Sequence, residues 1–128
     1  MKALLDTHTF IWWIIDDERL SRTARKIIES ERNDIYLSAA SCWEIVIKAK
    51  LGKIELPRRP DQFIAKILAE NKFLNLPVIP SHALNLFNLP DIHRDPFDRM
   101  LLSQSKTENM PIITSDELIV KYPVNTIW

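Results

Sequence analysis

Lys2-Ala3-Leu4-Leu5-Asp6-Thr7 sets the reading of the whole chain: a short apolar run breaks at an acid followed by a β-branched hydroxyl residue. Such a run reads as a buried strand ending in a turn, and Thr9 to Ile15 then reads as a short helix. Further along, Ser21 is placed to cap a helix reaching about Glu31, with Ala24, Ile27 and Ile28 on one face and Arg22, Arg25, Lys26 and Glu29 opposite. Ile35-Tyr36-Leu37 is a second short β-prone run. Ser38 to Ser41 opens the helix after it, which carries Trp43, Ile45, Val46, Ile47 and Ala49 to near Leu51, with Gly52 as its C-cap.

The alternation continues to the end. After the break at Pro57 to Pro60, Asp61 to Glu70 repeats Phe63, Ile64, Ile67 and Leu68 at helical spacing. Leu74 to Ile79 reads as a strand which, because of Pro77, belongs at an edge, and Ser81 then caps a short helix through Phe87. Asp95-Pro96 is a strong helix start, an acid at the cap and proline in the first turn, and that helix runs toward Thr107. Pro111 to Thr114 is a buried-strand candidate, Asp116 to Lys121 a short helix, and Val124 to Trp128 a last strand. Strands separated by helices predict an α/β fold: a mainly parallel sheet of four to five strands flanked by helices. With no linker, repeat or low-complexity segment, residues 1–128 are expected to form a single domain.

Composition narrows the function. A chain of 128 residues, 46% of them apolar, buries roughly two-thirds of its unfolded surface, so folding needs no disulfide or structural metal. The lone Cys42 excludes an intramolecular disulfide and a thiolate zinc site, which suits a reducing compartment, and a cytoplasmic location is expected. The single glycine, Gly52, rules out Gly-rich phosphate loops and so argues against nucleotide cofactors. Phe10 to Ile15, the longest apolar run, is far short of the roughly 18 residues of a membrane span, and Asp6 interrupts any secretory signal. With 17 basic against 17 acidic residues, any nucleic-acid contact has to come from a local basic patch.

Ligand sites in such sheets lie beyond the carboxyl ends of the strands, where strand order reverses. The polar residues expected there are Asp6 after the first strand, Glu44 and Asp98 in the first turns of their helices, and Asp116 after Ile112-Ile113. Each has an ordinary explanation: Ser41 with Glu44 fits a capping box, Asp95 and Asp98 can cap around Pro96, Asp116 can cap the last helix, and Glu44 can pair with Lys48 on an exposed face. Taken together they place four carboxylates on one sheet edge. Like charges that close repel unless they are protonated or bridged by a cation. An all-carboxylate set favours Mg²⁺ or Mn²⁺, the arrangement that activates water for attack on a phosphodiester.

Lys48, Lys50, Lys53, Arg58 and Arg59, with Arg94 and Arg99 beside the Asp95/Asp98 pair, are where a phosphate backbone would run, although solvated helix faces explain the lysines equally well, and Arg99 can simply balance Asp95. His8, His82 and His93 read as surface or hydrogen-bonded structural residues, and only His8 is expected near the acids. Cys42 reads as a buried, inert thiol.

The ordered motifs Leu4-Leu5-Asp6-Thr7-His8, Ser41-Cys42-Trp43-Glu44-Ile45, His93-Arg94-Asp95-Pro96-Phe97-Asp98-Arg99 and Thr114-Ser115-Asp116 closely resemble the PIN-domain family, and within it the VapC-type toxins. The resemblance implies a compact α/β endoribonuclease, the toxin of a toxin-antitoxin pair. Its acids Asp6, Glu44, Asp98 and Asp116 would bind Mg²⁺ or Mn²⁺ and carry the chemistry, with Thr7, Asp95, Arg99, Thr114 and Ser115 supporting them. Asp6, Glu44 and Asp98 would hold one cation, and Asp116 would complete that site or recruit a second. Hydrolysis would leave a 5′-phosphate and a 3′-hydroxyl. The implied partners are RNA, a cognate antitoxin protein and a second copy of the chain, with Trp12 or Trp13 of the apolar first helix available for an interface. Two other readings stand beside this one. An aspartyl phosphatase is weak because Asp6-Thr7-His8 lacks the second acid of Asp-x-Asp. An inactive PIN-like RNA-binding or protein-interaction module is set against the filling of all four acidic positions.

Overall fold

The structure, a computed structural model, describes residues 1–70 and 72–128. Its strands are β1 (Lys2–Leu5), β2 (Asp34–Ser38), β3 (Leu74–Leu76), β4 (Ile112–Ile113) and β5 (Thr126–Ile127). The helices are α1 (Thr7–Ile14), α2 (Arg22–Glu29), α3 (Ala39–Lys50), α4 (Pro60–Ala69), α5 (Pro80–Asn85), α6 (Pro96–Glu108) and α7 (Glu117–Val120), with a 3-10 turn at Leu86–Asn88. The strands form one all-parallel sheet in the order β3-β2-β1-β4-β5. The chain therefore moves outward from β1 to β3, then crosses to the other side of β1, and the reversal falls between β1 and β4.

The central strand shows why the sheet is buried on both sides. Ala3, Leu4 and Leu5 are fully buried, and alternation sends Ala3 and Leu5 into one apolar cluster and Leu4 into the other. The first cluster includes Phe10 of α1, Ala24 and Ile28 of α2, Ile45 of α3 and Ile64 of α4. The second includes Leu101 and Leu102 of α6, Ile119 of α7 and Tyr122. β3 is indeed an edge strand, and it ends before Pro77, whose missing N–H costs the ladder nothing there. Among the described residues no helix is long and apolar enough to cross a membrane.

Several boundaries differ from the expectation for identifiable reasons. The first helix starts at Thr7, because the Asp6 carbonyl already accepts the Phe10 N–H at 3.0 Å. α3 is capped by Ser38, whose hydroxyl accepts the Ala40 N–H at 3.0 Å, so Ser41 and Glu44 form no capping box and Glu44 lies in the second turn. α5 begins on Pro80, with Ile79 in place of Ser81 at the cap. The expected caps Ser21, Asp95 and Asp116 all accept backbone N–H groups. Ser21→Ala removes the acceptor of the Ala24 N–H at 3.0 Å and should cost about 1 kcal/mol, read as a lower urea midpoint at unchanged m-value.

Trp12 and Trp13 are half-buried within the chain. Trp12 meets Trp128 edge-on at 5.8 Å with the Arg19 guanidinium 4.9 Å from its ring, and Trp13 meets Phe73 at 5.0 Å. The exposed tryptophan is instead Trp43 on α3, at 63%, resting against Phe97 of α6 at 5.2 Å, with Val46 exposed beside it.

Candidate metal centre

Asp6 occupies the N-cap position of α1, yet its side chain caps nothing. Ser21, Ser38, Asp95 and Asp116 all use their side chains to satisfy helix N–H groups, so the Asp6 carboxylate is held at the end of β1 for something else. Thr114, just past β4, donates its hydroxyl to Asp6 Oδ2 at 2.7 Å. The register that pairs Leu5 with Ile113 brings these two strand ends side by side, and Thr9 Oγ1 ties α1 to the Ile113 carbonyl at 2.8 Å.

From α3, Glu44 is 1% exposed and pairs with Lys48 one turn on. The predicted i, i+4 pair is thus present, but its carboxylate is buried. Thr7 donates to Ser41 Oγ at 2.9 Å and so joins the start of α1 to α3. From α6, Asp98 is 6% exposed and is released from capping because Asp95 accepts both the Phe97 and the Asp98 N–H, at 2.8 and 3.1 Å. Asp95 caps the helix, as its place before Pro96 predicts. Asp116 uses Oδ1 to cap α7, accepting from Leu118 and Ile119, and turns Oδ2 toward His93. Ser115 is exposed between Thr114 and Asp116.

His93 is the residue that sequence reasoning placed elsewhere. Its Nε2 lies 3.0 Å from Asp98 Oδ2 and 3.2 Å from Asp116 Oδ2. The signal was its position two residues before the Asp95 cap: Nδ1 accepts the Asp95 N–H at 3.1 Å, a local turn that swings the ring over the helix start. His82 is structural as expected, buried between the Ile79 N–H and Glu108. Arg99 does not balance Asp95; it reaches the carbonyl of Pro90 at 2.9 Å and the Tyr122 hydroxyl at 3.4 Å.

The electrostatics follow from burial and crowding. Burial pushes the Asp98 carboxyl up to about 8, with Asp6, Asp95, Glu44 and Asp116 adding to the rise, despite the imidazole beside it. Burial likewise raises Asp6, against the Thr114 bond and nearby His8 and with Asp116 and Glu44 adding to it. For Asp116, burial is outweighed by the Leu118 N–H, His93 and the Ile119 N–H, which together hold it below the usual carboxylate range. For Lys48, burial is outweighed by Glu44 and by the charges of Asp95 and Asp98, so its ammonium is held above its ordinary value.

Two buried carboxylate oxygens, Asp6 Oδ1 and Glu44 Oε1, have no hydrogen-bond partner among the described residues. An unpaired buried carboxylate oxygen is costly, and an all-oxygen set of this kind suits a hard divalent cation. Among the described residues, the group whose ligand atoms all lie within 4.8 Å of one another is His93, Asp98 and Asp116, while Asp6 and Glu44 bear on Asp98 through their charge. Beside Glu44 lies a cavity of about 270 Å³ lined by Thr7, His8, Ile11, Glu44, Lys48 and Lys53, which puts two lysines on the same wall as Glu44. Of the other basic residues, Arg59 is paired with Asp61 and Arg94 is exposed.

Comparison with known proteins agrees with this architecture. The family model for the PIN domain matches residues 3–125. The chain is similar to Ribonuclease VapC22 of Mycobacterium tuberculosis, 28% identical over 131 aligned positions that cover 98% of each chain. Among solved structures, VapBC2 from Rickettsia felis, bound to a DNA fragment from its promoter, matches with a TM-score of 0.73 at 13% identity, covering 99% of this chain and 98% of that one. FitAcB from Neisseria gonorrhoeae matches with a TM-score of 0.62 at 18% identity, covering 100% and 97%.

Proposed function

Because the chain belongs to the PIN domain family, we propose that it is a single-domain, metal-dependent endoribonuclease, the toxin of a toxin-antitoxin pair acting in the cytoplasm. The observation that carries the reading is the convergence of Asp6, Glu44, Asp98 and Asp116 beyond β1 and β4, with buried oxygens of Asp6 and Glu44 unpartnered. A relative named as a ribonuclease, matched along nearly its whole length, and the fold shared with VapBC and FitAB proteins support the same reading. The partners proposed on that footing are an RNA substrate, a cognate antitoxin and a second copy of the chain.

Asp6, Glu44 and Asp98 would hold Mg²⁺ or Mn²⁺. A divalent cation there supplies Lewis-acid activation of the attacking water and neutralises charge building on the phosphoryl oxygens. The protein does the rest. Thr114 fixes one oxygen of Asp6 and Lys48 one oxygen of Glu44, so each acid presents its other oxygen in a set orientation. Asp95 takes over the capping of α6 and leaves Asp98 free. Lys48 and Lys53, on the wall of the adjacent cavity, receive a phosphate of the bound strand. Asp116 supports the cluster through His93.

The test is cleavage of an end-labelled structured RNA pool by purified protein with Mg²⁺ or Mn²⁺. Cuts bearing 5′-phosphates should disappear with EDTA and with Asp6→Asn purified in parallel. Cleavage retained by that variant would sink the proposed site, and a metal-binding protein that cuts no RNA would favour the inactive binding module.

A further inference from the structure

The acids of the cluster differ in what they have left to give. Asp6 spends Oδ2 on the Thr114 hydroxyl and keeps Oδ1; Glu44 spends Oε2 on Lys48 and keeps Oε1. Asp98 accepts no side-chain hydrogen bond among the described residues, its Oδ2 merely facing His93 at 3.0 Å. Asp116 spends both oxygens: Oδ1 takes the Leu118 and Ile119 N–H groups, at 2.8 and 3.3 Å, and Oδ2 takes His93 Nε2 at 3.2 Å.

The imidazole is not a spare ligand in this arrangement. His93 Nδ1 accepts the Asp95 backbone N–H at 3.1 Å, so its lone pair is in use and the ring carries its proton on Nε2, the atom that donates to Asp116. A metal-bound histidine has the opposite arrangement, a lone pair toward the ion and an N–H on the far nitrogen donated to an acceptor. Freeing the Nε2 lone pair for an ion would move the proton to Nδ1 and set an N–H against the Asp95 N–H.

We infer that His93 occupies the position a second cation would take between Asp98 and Asp116, so that this chain binds one divalent ion, through Asp6, Glu44 and Asp98, with Asp116 outside the ligand set. The inference rests on the metal-binding reading above and adds to it a stoichiometry and the residue that fixes it. His93 is here a positioning residue: it pins Asp116 to the α7 cap and fills the gap with an N–H instead of an ion.

Counting bound Mn²⁺ by the loss of its free-ion EPR signal tests this on the full chain after chelation and dialysis. Wild type should bind one ion. Asp116→Asn keeps an N-cap side chain, so α7 should stay folded. Its Mn²⁺ affinity should stay within about threefold of wild type, whereas Asp98→Asn should lose about tenfold or more. His93→Ala should gain a second ion, and His93→Gln, whose amide can restore an N–H donor, should return to one. Two ions on wild type, a tenfold loss in Asp116→Asn, or a folded His93→Ala that still binds one ion would each overturn the inference. No Mn²⁺ on wild type would overturn the metal-dependent reading itself, a result distinct from these.

Discussion

Asp98→Asn should abolish metal-dependent RNA cleavage, by on the order of 10³-fold, and yet stabilise the protein in EDTA at pH 8. The two effects have one cause. Asp98 is 6% exposed, faces three other acids of the cluster and Asp95, and is pushed up to about 8, so its charged form is unwelcome unless a cation is present. The folded carboxyl keeps its proton to about pH 8, while the unfolded one releases it near 3.8. Between those values the folded state binds more protons, so stability falls as pH rises through the window, and the cost is fully present above the folded value. At about 1.4 kcal/mol per pKa unit the penalty is on the order of a few kcal/mol. Asn keeps the shape and cannot ionise.

Thermal unfolding in EDTA between pH 5 and 9 checks this. Wild type should lose melting temperature toward pH 8 and Asp98→Asn should stay nearly flat, with the curves converging at the acidic end. Mn²⁺ should raise the wild-type melting temperature most at high pH, where its ligands are ionised, and leave the variant little changed. Parallel wild-type and variant curves would show that repulsion at Asp98 is not what the fold bears.

How much of this was legible before any coordinates follows from which interactions are local. The strand from Lys2, the caps Ser21, Asp95 and Asp116, and the edge placement of the Leu74 strand are written in stretches of two to five neighbours, and their side chains do what those neighbours dictate. The convergence of Asp6, Glu44, Asp98 and Asp116 was legible for a different reason: an alternating α/β pattern fixes one end of the sheet as the site, whatever the details of packing. The cap of α3 is open in the sequence between Ser38 and Ser41, which offer equal local chemistry, and only the pairing of Ser41 with Thr7, 34 residues away, decides between them. Exposure of Trp43 and shielding of Trp12 and Trp13 are likewise set by distant partners, Phe97, Trp128 and Phe73. Gln104, fully buried and bonded to Ser38 at 2.6 Å, looked like any polar residue on a helix. His93 combined both cases: its turn onto Asp95 is local, but its approach to Asp116 depends on Tyr122.

That dependence supplies the second large effect. Tyr122→Phe should lower stability by about 2 kcal/mol and, by loosening His93, let a second Mn²⁺ bind as His93→Ala does, although Tyr122 touches none of the acids. The ring is 3% exposed and packs in the second apolar cluster, which Phe would fill equally well. The hydroxyl alone is at stake. It accepts the Ile92 and His93 N–H groups at 3.1 and 2.8 Å and donates to the Pro90 carbonyl at 2.7 Å, while Arg99 Nη1 reaches the same carbonyl at 2.9 Å. Phe leaves two partly buried N–H groups without an acceptor and loosens the segment that carries His93 to Asp116. Arg99 still holds the Pro90 carbonyl, so the loop should shift and not unfold, and circular dichroism should be unchanged at 25 °C. Arg99→Lys, which loses the forked donor but leaves the hydroxyl, should show a smaller form of the same two effects. A Tyr122→Phe protein with lowered stability that still binds a single Mn²⁺ would mean that the loop supports the fold alone, and that His93 finds the acids without it.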